Sequence, residues 1–304
     1  MKKMITLLGT LAALLPLHAA AALNVFACEP EWAALARELG RDKVSVVAAT
    51  TARQDVHHIE ARPSLIARMR NANLVVCTGA ELEVGWLPLL LTQAGNARVQ
   101  PGTAGFLEAS QHVVKLEVPR VIDRSLGDIH PAGNPHIHLD PRNIAKVAEV
   151  LGARLAQLDP ANAASYQVQT AAFLTRWRAA IDRWQQRAAP LKGVPVVVYH
   201  KDFVYFIHWA GMREVGSLEP KPGVPPTPAH LAELVDQMKR DPAKVIAYSP
   251  YNNPKAAEFL SGRTGIPAAM MPFTVGGTEA AKDLYGLFDD TIERLLKATS
   301  RGGK

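Results

Sequence analysis

The chain has 304 residues, of which 48% are hydrophobic and 20% are charged. This balance is typical of a globular protein with one large or two medium domains, and it excludes an intrinsically disordered chain. The formal net charge is +6, but arginines such as Arg62, Arg68 and Arg70 are scattered and form no dense basic block. Nucleic-acid binding is therefore not expected.

The first residues have the pattern of a secretory signal. Two lysines precede an apolar run over residues 4–17, and small residues follow as far as Ala22. No later stretch approaches the ~20 apolar residues that a spanning helix needs. We expect residues 1–22 to be a signal peptide cleaved near Ala22 and the mature chain to be periplasmic. A lipid anchor on Cys28 is the less favoured alternative, because a bulky phenylalanine stands two residues before it.

Apolar runs rich in β-branched residues alternate with helical patterns in the first half of the chain. This alternation is typical of a parallel sheet covered by helices. It predicts an N-terminal α/β lobe over residues 23–160. The predicted strands are residues 23–28, 44–49, 74–77 and, as a fourth strand or an edge, 113–118; the predicted helices are 31–39, 63–70, 84–93 and 142–158.

A long helical stretch follows over residues 161–189, which contain neither proline nor glycine. At ~1.5 Å per residue this helix would be roughly 43 Å long, more than one compact domain needs. We interpret it as a rigid linking helix whose Trp177 and Trp184 form a packed stripe. Alternation then resumes as a C-terminal α/β lobe over residues 190–304. Its predicted strands are residues 194–199, 212–218, 245–248 and 268–271, and its last predicted helix is 282–297.

The two cysteines, Cys28 and Cys77, each end a predicted buried strand. Neighbouring parallel strands lie about 4.8 Å apart, so the two sulfurs would meet if these strands pair. Export to an oxidising compartment favours one disulfide. Two buried thiols and a thiolate metal site remain alternatives.

Histidines recur where predicted strands end. His57 and His58 follow the second strand, His136 and His138 follow the fourth within the loop segment GNPHIHLDP (residues 133–141), and His200 directly follows a strand. The aspartate and proline of that segment are suited to cap and open a helix, which would hold the preceding side chains in place. Since ligands bind beyond the carboxyl ends of parallel strands, these imidazoles are expected in one cleft.

Acidic residues after the last strand complete the predicted site. Asp283 and Glu279 lie there, and three imidazoles with one carboxylate form a tetrahedral zinc set. Manganese would favour more oxygen donors. Any one of these histidines taken alone would be interpreted as a surface or capping residue. His130 is interpreted as a loop-organising residue or a surface residue.

Several motifs resemble the metal-specific solute-binding proteins of ABC importers, the TroA-like family (cluster A-I). They are QDVHHIEARPS (54–64), GNPHIHLDPRN (133–143), VVVYHKDFVYF (196–206) and GGTEAAKDLYGLF (276–288), together with the long helix. The resemblance implies His57, His136, His200 and Asp283 as metal ligands, with His58 and Glu279 as the less favoured choices. It departs from the family pattern at Ala61, where a proline is usual.

The resemblance further implies a monomeric periplasmic receptor. Such a protein captures Zn(II), or Mn(II) in some members, between two lobes and delivers it to an ABC permease in the inner membrane. A metallochaperone or an adhesin would share the site and differ in its partner. A zinc hydrolase is disfavoured, because four protein ligands leave no open position for water and no HExxH helix occurs.

Overall fold

Two four-stranded parallel sheets form the framework of the molecule, in a computed structural model that describes residues 22–123, 127 and 130–301. Most of the predicted signal peptide therefore lies outside the described residues. The first sheet has the order β2-β1-β3-β4 and the second β6-β5-β7-β8, so both share one connectivity. The strands are β1 (Leu23–Ala27), β2 (Val44–Ala48), β3 (Leu74–Cys77), β4 (Phe106–Glu108), β5 (Pro195–Val198), β6 (Arg213–Ser217), β7 (Val245–Tyr248) and β8 (Ala268–Met270).

The central strands are largely apolar because helices cover both faces of each sheet. Every residue of β3, with the sequence LVVC, is buried. β1 pairs with β3 in the register Val25↔Leu74 and Ala27↔Val76, and with β2 on its other side. The two predicted α/β lobes with parallel sheets are thus confirmed. The exact lobe boundaries, 23–160 and 190–304, stay predictions.

The fourth strand of the first sheet is a correction to the sequence analysis. It is β4, and the predicted segment 113–118 contains no strand. Gly105 allows the chain to reach the sheet edge, since a Cβ there would lie 2.3 Å from the carbonyl oxygen of Arg98. Within 113–118, Val114 and Val118 are exposed at 75% and 57%, whereas Val113 is buried.

Nine α-helices occur among the described residues, and four of them begin at a proline that fits the first helical turn. The third helix begins at Leu87, later than predicted. Residues 79–81 adopt left-handed backbone angles, and a turn follows them before the helix starts. The helices are α1 (Pro30–Gly40), α2 (Pro63–Arg70), α3 (Leu87–Ala94), α4 (Pro141–Leu158), α5 (Ala163–Ala188), α6 (Val204–Ala210), α7 (Pro228–Arg240), α8 (Lys255–Thr264) and α9 (Leu284–Arg301).

The predicted linking helix is α5, which has 26 residues and packs against helices of both lobes. The indole nitrogen of Trp177 donates to the carbonyl oxygen of Pro141 in the first lobe, and that of Trp184 donates to Asp289 in the second. Both tryptophans are almost completely buried, so the predicted packed stripe is confirmed. One hydrophobic core runs through both lobes along this helix. None of the described helices is long and apolar enough to cross a membrane.

The structure joins Cys28 and Cys77 in a disulfide. The bridge connects the carboxyl ends of β1 and β3, which are neighbours in the sheet. The sulfurs meet because parallel strands in register end at the same level. The predicted bridge is therefore confirmed over the two alternatives.

Candidate metal centre

Three predicted ligands come together from three separate parts of the chain. His57 lies in the turn after β2, His136 precedes α4, and His200 follows β5. Their ring centroids are 5.6 Å apart in each of the three pairs. Each ring offers one nitrogen that lies within 4.8 Å of the other two. The three rings thus surround one point between the lobes, at a spacing that a single metal ion can bridge.

A carboxylate orients the His57 ring. Nδ1 of His57 donates to Asp55 Oδ1 at 2.7 Å, and the backbone amide of His57 donates to the same oxygen at 3.0 Å. Nε2 of His57 is buried and has no hydrogen-bond partner. Burial alone would raise the pKa of Asp55, but the bond from His57 prevails and lowers it to about 2. The carboxylate is therefore ionised and leaves Nε2 of His57 facing the group of rings.

A second carboxylate orients His200 in the same way. Nδ1 of His200 lies 2.7 Å from Oε2 of Glu219, on the loop after β6. Burial would lower the pKa of His200, but the hydrogen bond from this imidazole to Glu219 prevails and raises it to about 9. Nδ1 is thus committed to the carboxylate and Nε2 is left as the donor toward a metal. Such a partner fixes the tautomer and the ring plane of a ligating histidine.

His136 is the most deeply buried ring of the three, with 1% of its surface exposed. Neither of its ring nitrogens has a hydrogen-bond partner. Burial, followed by the charges of His57 and His200, lowers the pKa of His136 well below its usual range, so the imidazole is neutral at neutral pH. Burying a neutral imidazole without a hydrogen bond costs free energy, and a metal ion bound to its lone pair would offset that cost.

Asp202 lies behind His136, with Oδ1 3.7 Å from Nε2 of that ring. It is completely buried and accepts hydrogen bonds from the hydroxyls of Ser249 and Tyr251, which follow β7. The ring edge of Phe273 packs against His136 from the other side. These contacts come from the second lobe, so both lobes position the same ring.

The structure does not bring Asp283 to the three histidines. Its side chain is exposed and caps the start of α9 by accepting a hydrogen bond from the backbone amide of Gly286. The other acidic candidate, Glu279, is also exposed and lies outside the group. The reason is that the chain after Phe273 leads away along α5, where Tyr285 packs on Trp177. The expected carboxylate is therefore not part of the described geometry.

The structure also separates His57 from its neighbour. His58 is exposed and its ring centroid lies 6.3 Å from that of His57, outside the group of three. The side chain two residues earlier decides the choice, since Asp55 bonds to His57. The preference for His57 thus agrees with the observed geometry.

His130 lies closer to the site than the sequence indicated. Its ring centroid is 5.4 Å from that of His57. With His136, His200 and Lys201 it lines a cavity of about 80 Å³ at the mouth of the site. Its position next to two other histidine motifs in the chain was a weak signal of this role. The carboxylate partners Asp55 and Glu219 left no sequence signal that separates them from other acidic residues.

The two lobes touch directly beside the three rings. The hydroxyl of Tyr205, on α6, donates to the carbonyl oxygen of Asn134 at 2.7 Å and accepts from the amide of Leu116 at 3.0 Å. Lys201 lies 2.7 Å from Glu117 of the first lobe. These contacts hold the segment before His136 against the second lobe and so fix the distance between the rings.

Comparison with known proteins shows which family this chain resembles. The model of the family described as "ZnuA: Zinc-uptake complex component A periplasmic" matches residues 25–298. The zinc-binding lipoprotein AdcA of Streptococcus pneumoniae is 21% identical over 275 residues, covering 88% of this chain and 54% of AdcA. The high-affinity zinc uptake system protein ZnuA of Brucella abortus is 27% identical over 135 residues, covering 43% of this chain and 40% of that protein. The chain thus spans about half or less of the length of these relatives.

A solved structure has a similar fold. A crystal structure of ZnuA superposes with a TM-score of 0.76 at 21% identity, covering 91% of this chain and 99% of that structure. Its likeness supports the arrangement of two lobes on a long helix. The family model covers most of the chain, including all three histidine motifs. The chain therefore belongs to the ZnuA family of periplasmic zinc-uptake components.

Proposed function

We propose that this protein is an exported receptor that captures Zn²⁺ between its lobes and delivers it to an ABC permease in the inner membrane. His57, His136 and His200 are the proposed ligands. The observation that carries the proposal is the group of three rings, whose nitrogens lie within 4.8 Å of one another and come from both lobes. The names of the relatives, which describe zinc uptake and zinc binding, agree with it.

The donor set favours zinc over manganese. Three imidazole nitrogens suit the borderline-soft Zn²⁺, which they bind at ~2.0–2.1 Å, whereas Mn²⁺ prefers carboxylate and water oxygens. The carboxylates of Asp55 and Glu219 face the outer nitrogens of two rings rather than the centre. They increase the basicity of the ligands and leave the inner positions to nitrogen. Mn²⁺ is therefore the weaker cargo in this proposal.

The fourth position is proposed separately. Asp283, the ligand that the resemblance implies, would have to leave its cap on α9 to reach the metal. His130 already lies beside His57 at the mouth and needs a smaller movement. We therefore favour His130, or a water molecule, over Asp283 as the fourth donor.

A zinc hydrolase is the rival from another class, because three histidines with an open position also describe catalytic zinc. A hydrolase needs a general base close to the metal-bound water. In the described part of the site, Asp55 and Glu219 are bonded to histidines and Asp202 to two hydroxyls. These carboxylates hold the rings in place and are not available as bases. We expect zinc-loaded protein to leave activated esters unhydrolysed above the background rate.

Equilibrium dialysis tests the capture step. Purified protein should retain one zinc ion per chain, and His136→Ala should lose it. His208→Ala is the matched control, because this exposed histidine ends α6 away from the group. Full zinc retention by the His136 variant would defeat the assignment. Delivery is tested in the host, where loss of the gene should raise the zinc concentration needed for growth.

A further inference from the structure

A second cluster of ligand-type side chains lies at the carboxyl edge of the first sheet. The sulfurs of Cys28 and Cys77 and a carboxylate oxygen of Glu83 lie within 4.8 Å of one another. All three residues are buried, with exposures of 2% or less. The cluster is separate from the histidine site and is closed at present by the disulfide.

The location is one where sheets of this type bind ligands. The chain passes from β1 to β2 on one side of β1, whereas β3 and β4 lie on its other side. The strand order therefore reverses between β1 and β3, and ligands of open α/β sheets bind beyond the carboxyl ends at such a point. Cys28 follows β1 and Cys77 ends β3, so both flank this crevice.

Two buried acids, Glu29 and Glu83, lie at the same place. Oε1 of Glu83 accepts from the amide of Thr78 at 2.7 Å, and its Oε2 accepts from that of Gly79 at 3.0 Å. Glu29, which is 1% exposed, accepts from the Thr78 hydroxyl through Oε2, while its Oε1 is buried without a hydrogen-bond donor. Buried carboxyl groups are almost always paired, and a divalent cation would pair both.

A surface cavity reaches Glu83 of the cluster, although neither cysteine is among its lining residues. It has a volume of about 380 Å³ and is lined by Gly79, Glu83, Leu87 and Glu108 among other residues. Exposed Glu81 lies at the same opening. Three carboxyl groups at one opening would attract a cation to the buried sulfurs.

We propose that reduction of the Cys28–Cys77 disulfide creates a second zinc site, with the two thiolates and the carboxylate of Glu83 as ligands. A dithiol reductant supplies two electrons and two protons: the bond between the two sulfurs breaks, the reductant is oxidised to its own disulfide, and two thiols form. One Zn²⁺ then displaces both thiol protons. The Cα atoms of the two cysteines are 4.8 Å apart, so both sulfurs remain within reach of one ion.

The chemistry of the donors supports zinc at this place. Thiolates are among the preferred ligands of Zn²⁺, with bonds of ~2.3 Å, and a carboxylate completes common mixed sets. The ion would tie β1 to β3 when the disulfide is open, and so replace one cross-link by another. The inference does not depend on the histidine site, because no residue is shared.

Zinc counting on the full chain is the test. Protein with the disulfide intact and protein reduced by a phosphine, which is not a thiol and does not compete as one, are dialysed against Zn²⁺ alone. Reduction should add one zinc per chain, whatever number the oxidised protein holds. A failure of the histidine site would lower both counts equally and would leave this difference unchanged.

Variants locate the added ion. The double variant Cys28→Ser/Cys77→Ser should gain no zinc under reducing conditions, and Glu83→Gln should bind the added ion at least tenfold more weakly. Glu233→Gln is the matched control, since this exposed acid lies on α7 in the other lobe. If the reduced protein shows two free thiols on denaturation but no added zinc, or if the serine variant gains zinc equally, the proposal is overturned.

Cobalt provides a readout that does not require any variant to fold. Co²⁺ added to the reduced wild-type protein should produce the near-ultraviolet absorption of a thiolate–cobalt bond, and the oxidised protein should lack it. Absence of this band at a saturating cobalt concentration, with both thiols free, would also refute the site.

Discussion

The adjacent pair His57 and His58 offers a sharp test of the site. The sequence presents two imidazoles side by side, and the structure gives them different environments. His57 is oriented by Asp55 and faces the other two rings, whereas His58 is exposed. We predict that His57→Ala abolishes tight zinc binding and that His58→Ala leaves it intact.

The magnitude follows from the number of ligands. A structural zinc site with four protein ligands contributes about 10–16 kcal/mol in total, so each ligand accounts for about 2.5–4 kcal/mol. That corresponds to a loss of about 10²–10³-fold in affinity for His57→Ala. Removal of His58 takes no donor from the group, so its zinc Kd should change by less than about threefold, within ~0.6 kcal/mol.

Competition with a chromophoric chelator measures both Kd values on purified metal-free proteins. A thermal unfolding curve of each variant without metal shows whether the fold is intact, since His57→Ala also removes the partner of Asp55. Equal weakening in both variants, or full zinc affinity in a well-folded His57 variant, would refute the assignment of the site to His57.

Four further variants test other contacts at the site. Glu219→Gln should weaken zinc binding by about 10–100-fold while one zinc per chain remains at saturation, because the carboxylate orients His200. Competition titration measures this change, and Glu233→Gln, an exposed acid, is its control. Asp283→Ala should leave the zinc Kd within about threefold, whereas His130→Ala should weaken it by about tenfold if His130 or its surroundings complete the site. Tyr205→Phe should lower the free energy of unfolding by about 1–2 kcal/mol, since it removes two hydrogen bonds between the lobes.

The same tyrosine predicts an alkaline transition. Burial raises the pKa of Tyr205 to about 12, against about 10 in an unfolded chain. Its neutral form is therefore favoured by folding: the contribution to stability is complete below pH ~10 and is lost as the pH rises toward ~12. Chemical denaturation at several alkaline pH values should show a steeper loss of stability for the wild type than for Tyr205→Phe. Parallel curves for the two proteins would contradict this account.

For Asp283, a loss of zinc affinity as large as that of a histidine ligand would show that this residue leaves the cap of α9 when metal binds. In the absence of metal, Asp283→Ala should lower the free energy of unfolding by about 1 kcal/mol, the usual cost of losing a helix cap. The two readouts together distinguish a ligand from a capping residue.

Much of the site could be predicted because it depends on a simple rule of parallel sheets. Strands that run in the same direction end at the same edge, so side chains that follow them converge whatever their distance in sequence. His57, which follows β2, and His200, which follows β5, could be found in this way. So could the bridge between Cys28 and Cys77, which lie at the ends of two neighbouring strands. His136 was found through the motif GNPHIHLDP instead, since no strand occurs at residues 113–118.

Other features depended on packing that no local pattern encodes. The choice of β4 over residues 113–118 was decided by the close approach that Gly105 permits, not by hydrophobic alternation. The partners of the rings, Asp55 and Glu219, look like any other surface acids in the sequence. Only the folded chain shows that each of them meets a buried imidazole nitrogen.

The sequence by itself therefore determined the two sheets and the long helix between them, and it pointed to the three histidines of the proposed metal site, because periodicity, strand ends and motifs are local properties. The tertiary structure alone decided which neighbouring histidine turns inward, and it placed Asp283 on a helix cap rather than at the rings. It also gathered the carboxyl groups of Glu29 and Glu83 behind the disulfide. These outcomes depend on ring orientation and on contacts across tens to hundreds of residues, which are fixed only when both lobes pack around their shared core.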